Sequence, residues 1–284
     1  MGDTFHLLRL SLIERESNQA ELDFGDQPIE PRIPATREEF LRRVFGERIE
    51  FEHRNRVFYY VPGDMPGEFI MARIGRPFET EENLAPDQNF ESVTRAAWKA
   101  AVVVIDPRHL ANGDGQKVAM HYERVVGRPF PVFASLVNHI NDAGSPRAQY
   151  HIEVDPIFDP TTFWTFASEH RGDITVLTFD LATPNPFGGK ERIEEELREY
   201  AAAEKAHSVA VTLRSIDGLE TNTQTVIEAV SYAQRGAGKV TAKTRSGRRY
   251  DSTKANMTVT LDRDTGEPLI TRAAEFIGRL LGRL

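Results

Sequence analysis

Cysteine is absent from the 284 residues. That excludes disulfides, thiol nucleophiles and any cysteine-ligated zinc or iron–sulfur site. No apolar run approaches the roughly 20 residues that cross a bilayer. The opening stretch, MGDTFHLLRLSLIERE, lacks the basic, apolar, small-residue order of a signal peptide. His6 stands where an N-myristoylation pattern requires serine or threonine. Internal repeats and low-complexity tracts are missing. So are the glycine spacings of a Walker loop and of a dinucleotide fingerprint, and no cofactor is expected. What remains is ordinary globular composition, 40% hydrophobic and 27% charged. It suffices for two modest domains or one large one, with the cytoplasm as the simplest compartment.

Charge is distributed unevenly. The chain carries a formal −8, yet residues 235–254, RGAGKVTAKTRSGRRYDSTK, hold seven cations against one acid, Asp251. This stretch is therefore +6, and the rest of the chain sums to −14. A concentrated cationic patch on an acidic protein points to a negative partner, with a nucleic-acid backbone as the leading candidate. Ser246-Gly247 reads as a two-residue hairpin turn, because glycine takes positive φ without steric cost. That turn pairs Arg245 with Arg248, Lys243 with Tyr250, Thr241 with Ser252 and Lys239 with Lys254. One face then carries five cations (Lys239, Lys243, Arg245, Arg248 and Lys254), together with Tyr250 and two hydroxyls, Thr241 and Ser252. Like charges set opposite each other destabilise a sheet, which suggests a cost retained for tracking phosphates. The competing reading is an edge hairpin whose basic side chains discourage edge-to-edge pairing.

The hydrophobic patterning predicts an α+β protein of two sandwich-like domains, 1–172 and 173–284. In the first, strands are expected over 7–15, 49–53, 56–61, 69–74, 97–105, 116–126 and 149–154. Thr36-Arg37-Glu38-Glu39 is a capping box that starts a helix running to 44. Further helices are expected over 131–140 and 161–168, while 77–89 reads as a polar, acidic loop. The second domain reads as strand 174–179, helix 191–206, strand 208–213, helix 221–234, the basic hairpin and strand 257–261. The 221–234 helix opens on Thr221 and Gln224 and closes at Gly236. The order β-α-β-α-β-β is close to a ferredoxin-like sandwich. A final amphipathic helix, 270–284, has Ile270, Ala274, Ile277 and Leu281 near one face. It packs on its own domain or on a second subunit, with a membrane surface as the weaker reading.

Other constellations carry less. His151 and Glu153 have the spacing that opens a zinc-deaminase site, but that site needs a later cysteine pair. A half-buried strand histidine is what is left. Asp106, Asp114, Glu153, Asp155 and Asp180 all fall near turns. Asp114-Gly115-Gln116-Lys117 has the acid and lysine of a metal-nuclease turn, yet no second acid stands at a fixed spacing, and a plain turn is expected. Residues 186–190, PFGGK, lie between a strand and a helix and read as a tight connection rather than a phosphate loop. Arg42, Arg43, Arg48, His53, Arg54 and Arg56 form a second basic cluster, interleaved with Glu47, Glu50 and Glu52 into a surface laced with ion pairs. Arg73 and Arg76 flank Gly75 and would extend a binding surface.

The order of elements resembles that of the RexA family of phage-exclusion proteins and of a broader group of bacterial defence-associated proteins. The likeness runs through the opening strand, the capped helix, the meander NRVFYYVPGDMPGEFIMARI, the strand VVVID, the segment VAMHYERVVGRPFPVFASLVNHI and the final β-α-β half. It is one of pattern, and no signature residue carries over. The resemblance implies a two-domain dimer that binds double-stranded DNA with little sequence preference and has no catalytic residues. The −8 charge departs from it, because DNA binding would have to be concentrated in patches.

The expectation is a non-enzymatic, largely sequence-nonspecific DNA- or RNA-binding protein, a homodimer with a role in sensing phage. Lys239, Lys243, Arg245, Arg248 and Lys254 would meet phosphates, and Tyr250 would stack on a base or sugar. Two rivals stand beside it. One is a metal-dependent nuclease whose acids meet only in the fold. The other is an interaction module that docks an acidic partner protein. No metal ligand or catalytic residue is assigned.

Overall fold

A computed structural model describes residues 2–15, 35–63, 67–108, 116–143, 149–182, 195, 197, 199–200, 203–204, 206, 208–262 and 266–281. The chain is α+β and is built on two antiparallel sheets. The larger contains β1 (Asp3–Glu14), β2 (Ile49–His53), β3 (Arg56–Pro62), β4 (Ile70–Asn83), β5 (Ser92–Asp106), β6 (Gln116–His121), β7 (Tyr150–Pro156) and β12 (Thr258–Leu261). Its order is β12-β1-β6-β5-β4-β3-β2, with β7 also paired to β1. The smaller contains β8 (Ile174–Ala182), β9 (Ser208–Arg214), β10 (Gly238–Thr244) and β11 (Arg249–Asp251), in the order β11-β10-β8-β9.

β1 organises the larger sheet because both of its faces are apolar. Phe5 and Leu7 point one way, and Leu8, Leu10 and Leu12 the other; all are buried. The second set faces α1 (Arg37–Val44) and α2 (Pro129–Ala143) and packs with Phe40, Leu41, Phe133 and Leu136. The capping box at α1 forms as expected. Glu39 N–H donates to Thr36 Oγ1 at 3.2 Å, and Thr36 N–H donates to Glu39 Oε2 at 2.8 Å.

The opposite face is covered by α5 (Leu269–Leu281). Its Ala273, Ile277 and Leu281 pack on Phe5, Leu7, Val102 and Val104. The last strand and helix therefore return to the first sheet instead of completing a unit over 173–284. Residues 3–6 of β1 have one edge that β7 does not reach, since β7 pairs only from Leu8 onward, and β12 fills that edge. β12 is not part of the smaller sheet, and β8 and β9, which a split β-α-β unit would hold parallel with another strand between them, lie side by side and antiparallel, so the ferredoxin-like strand order expected is not seen there.

Among the described residues, helices cover one face of the smaller sheet. Leu177, Phe179 and Leu181 of β8 and Val240 and Ala242 of β10 pack under α3 (Pro160–Glu169) and α4 (Gln224–Tyr232). The cap of α4 is Thr223, whose hydroxyl accepts from Val226 N–H, and not the expected Thr221. Of the expected 191–206 helix, residues 195, 197, 199–200 and 203–204 are helical; the 186–190 connection and Asp114 lie outside the described residues.

Residues 77–89 were expected to be a polar loop. Instead β4 runs on to Asn83, and β5 starts at Ser92, nine residues before the buried Ala101–Ile105 stretch. β3 accompanies β4 only to Gly75, and β6 accompanies β5 only from Val103. Beyond these points the two strands form a protruding ribbon, paired from Arg76↔Lys99 to Asn83↔Ser92. Cross-strand partners supplied by β5 turn a polar segment into a strand, which no local pattern in 77–89 announces.

The sheets meet where Gly236 presses on β1. Its φ is +79°, and Arg9 Nη1 donates to the neighbouring Arg235 carbonyl at 3.3 Å. A Cβ at Gly236 would overlap the Cβ of Arg9. Gly236→Ala is expected to lower stability by about 2 kcal/mol or more, through backbone strain added to this overlap. Urea unfolding checks it, and an unchanged midpoint would contradict the packing described.

Candidate nucleic-acid interface

The basic hairpin forms, but in a register one residue away from the expected one. Thr241 pairs with Asp251, Ala242 with Tyr250 and Lys243 with Arg249. The connection is the three-residue loop Arg245-Ser246-Gly247. Thr244 N–H donates to Arg248 O at 3.0 Å, Gly247 N–H donates to Thr244 O at 3.1 Å, and Gly247 has φ +89°. This is a turn followed by a left-handed glycine, a common three-residue hairpin connection. A slip of one residue exchanges the faces of a strand, and here it moves every residue of β11.

Tyr250 consequently lies on the inner face. It is 9% exposed, its ring lies 5.5 Å from Phe163 and 5.6 Å from Phe166, and its hydroxyl is 2.9 Å from Thr162 Oγ1. Burial raises its phenol above the usual range. Tyr250 is a core residue and not a stacking platform. Ser252 is also buried and accepts from Val240 N–H at 2.9 Å, so the expected Thr241–Ser252 and Lys239–Lys254 pairs are not formed.

The cations divide accordingly. Lys243 is exposed on the outer face, and Arg248 is exposed at the hairpin end. Arg245 is exposed, and its Nη2 donates to Ile216 O at 2.7 Å, closing the hairpin end onto the neighbouring loop. Lys254 is exposed on the short 3-10 turn after β11. Lys239 shares the outer face but is bound to Asp180, with Nζ 2.9 Å from Oδ2, and this contact raises its ammonium above the ordinary value.

Two residues not singled out in the sequence complete the surface. Arg249 takes the outward position beside Lys243 that Tyr250 was expected to hold. Across the sheet, Lys243 faces Val176, which faces Arg214. Arg249, Lys243, Val176 and Arg214 thus form one cross-strand row on the outer face, spanning about 14 Å at ordinary strand spacing. The next row inward holds Asp251, Thr241, Thr178 and Thr212; the last two hydroxyls are 3.1 Å apart, and the Asp251 carboxylate accepts from Thr253 N–H and Oγ1. None of these residues is buried. Gly247 as a left-handed loop residue was the signal for Arg249. For Arg214 the alternation of 208–214 marks a strand face, but only the strand order brings that face beside β10.

The opposite end of the same face is acidic. Asp180 there adjoins Glu153 and Asp155 of β7 in a cavity of ≈ 350 Å³, lined also by His151 and Lys239. Three of the five acids noted near turns therefore do gather. Burial, reinforced by the charge of Glu153, pushes the Asp155 carboxyl up to about 6, and burial raises Glu153 as well. Among the described residues, no group of three or more His, Asp or Glu side chains is placed to hold a metal ion. His151 is half-buried on β7, 3.2 Å from Arg15 Nη2.

Part of the second basic cluster is engaged within the larger sheet and its helices, while Arg54 and Arg56 are exposed. Arg42 pairs with Glu38 at 2.9 Å, Arg43 lies over Phe40, and Arg48 lies over Tyr59. Arg76 donates to Val125 O at 2.7 Å, leaving Arg73 exposed on the larger sheet. Among the described residues no helix is long and apolar enough to cross a membrane. Comparison of the chain with protein-family models, curated proteins and solved structures gives no match.

The acidic end has a measurable consequence. With its folded pKa above the unfolded carboxylate value, Asp155 favours folding while protonated, and that advantage is lost as pH rises through about 6. Asp155→Asn is expected to raise stability at neutral pH by on the order of 1–2 kcal/mol and to flatten the stability–pH curve between pH 4 and 7. Denaturation midpoints across that range test this, and parallel curves for parent and variant would contradict it.

Proposed function

We propose that the protein binds nucleic acid, without catalysing a reaction on it, through the open outer face of its four-stranded sheet. The supporting observation is the row Arg249–Lys243–Val176–Arg214, with Arg248 at its end and a threonine row beside it. Cations spaced across a flat sheet meet successive phosphates, and hydroxyls donate to phosphate oxygens. These two rows contain no Asn or Gln, the side chains that read adenine edges, and no aromatic ring. Binding is therefore backbone-directed, weakly selective for sequence, and better for a duplex than for a single strand, which gains most from stacking. The carboxylates of Glu153 and Asp155 beyond the Lys239–Asp180 pair steer the polyanion onto the basic row. A role in sensing foreign nucleic acid during phage defence is the extension that the RexA resemblance adds.

A phosphate-processing enzyme is the rival reading, drawn from the gathering of Glu153, Asp155, Asp180 and Lys239. Against it stands the tie between Lys239 and Asp180, which occupies the one lysine among the described residues that line the cavity.

The test is fluorescence anisotropy of labelled duplex DNA over a salt series. Parent protein should bind with log K falling as log salt rises. The triple variant Arg214→Ser, Lys243→Ser, Arg249→Ser should bind more weakly on every sequence, with the slope reduced by about 2–3. A parent that does not bind at low salt, or a variant with an unchanged slope, would refute the proposal.

A further inference from the structure

Among the described residues, no strand pairs with either edge of the ribbon formed by β4 and β5 beyond Gly75. Isolated two-stranded ribbons are marginal in water, so this one gains from being covered. Its two faces differ in charge. One carries Arg76, Lys99 and Arg95, the last 3.7 Å from Glu82. The other carries Glu79 and Glu81 and no cation, with Ala96 and Trp98 opposite on β5. Trp98 is 62% exposed although its ring meets Tyr59 edge-on at 5.5 Å. The ribbon therefore presents a strip of carboxylates beside an exposed indole.

The outer face of the four-stranded sheet is its counterpart, with Arg249, Lys243 and Arg214 in one row and neither acid nor aromatic among them. Glu79 and Glu81 lie two residues apart on one strand, about 6.8 Å. Arg249 and Lys243 lie on adjacent strands, about 4.8 Å apart, with Arg214 about 10 Å further. Long basic side chains bridge such differences, and an arginine fits over a tryptophan ring as a cation–π pair. Within one chain the ribbon is not docked on this face, because Glu79, Glu81 and Trp98 are exposed. Both halves of the complementary pair belong to the same sequence, so the occupant that brings both is a second copy.

We infer that the Glu79/Glu81/Trp98 face of the ribbon docks on the Arg214/Lys243/Arg249 face of a second copy of this chain. The contact uses the basic face proposed for nucleic acid but not its affinity for nucleic acid. Duplex DNA and the ribbon then compete for the same cations, and binding of duplex releases the copies from each other.

Sedimentation velocity of the full chain without nucleic acid tests this, using charge-reversed partners. Parent protein should associate at low salt and dissociate as salt rises. The ribbon variant Glu79→Lys, Glu81→Lys and the face variant Lys243→Glu, Arg249→Glu should each sediment as monomers, since each sets like charges against each other. Mixing the two variants should restore the associated species, a rescue that misfolded variants would not give. A parent that stays monomeric, association unaffected by either variant, or a mixture that stays monomeric would overturn the inference. Duplex binding by the ribbon variant is measured alongside, so a failure here is distinguishable from failure of the nucleic-acid proposal.

Discussion

The inner face of the basic hairpin has to be buried, and that requirement decides what its outer face displays. Val240 and Ala242 of β10 pack with Tyr250 of β11 against Phe163, Leu177 and Phe179, and Thr244 beside them is fully buried. In an antiparallel pair the side-chain period is two, so placing Tyr250 inside places Arg249 outside. Gly247 makes this register accessible, because a left-handed residue closes a three-residue loop without cost. Packing thus selects which cations face solvent, and the electrostatics of the surface follows from a hydrophobic requirement.

Strand order then turns single exposed cations into a row. β8 separates β10 from β9, and the pairing sets Lys243, Val176 and Arg214 in line. The same geometry sets Lys239 against Asp180 two rows further and ties that lysine to a carboxylate. The face is consequently polar along its length, with exposed cations toward the hairpin end and carboxylates near β7. The clustered acids are costly to ionise together, which is why burial and the neighbouring charge lift Asp155. This mixed network of acids and one lysine lies where β7 of the larger sheet meets β8 and β10 of the smaller one.

Much of this was legible in the sequence, and the failures share a cause. The capping box at Thr36, the buried VVVID strand and the glycine stop at 236 are local signals, and each formed as read. The basic character of 235–254 was also plain. What was not legible depended on partners distant in sequence. The ribbon at 76–83 is held by β5, the strand at 258–261 belongs to an edge of β1, and Arg214 matters only because β9 lies two strands from β10. The hairpin register was in principle local. A turn at Ser246-Gly247 and a loop at Arg245-Ser246-Gly247 use the same glycine, and the burial of Tyr250 under α3 discriminates between them.

The central claim is that the outer face of the four-stranded sheet is where a polyanion lies. Lysine acetylation followed by mass spectrometry, with and without saturating duplex DNA and at a protein concentration where the copies sediment apart, tests it residue by residue. Lys243 on that face should lose reactivity when duplex is added, while Lys99 on the ribbon should label equally in both conditions. Equal labelling of Lys243 with and without duplex would contradict the account.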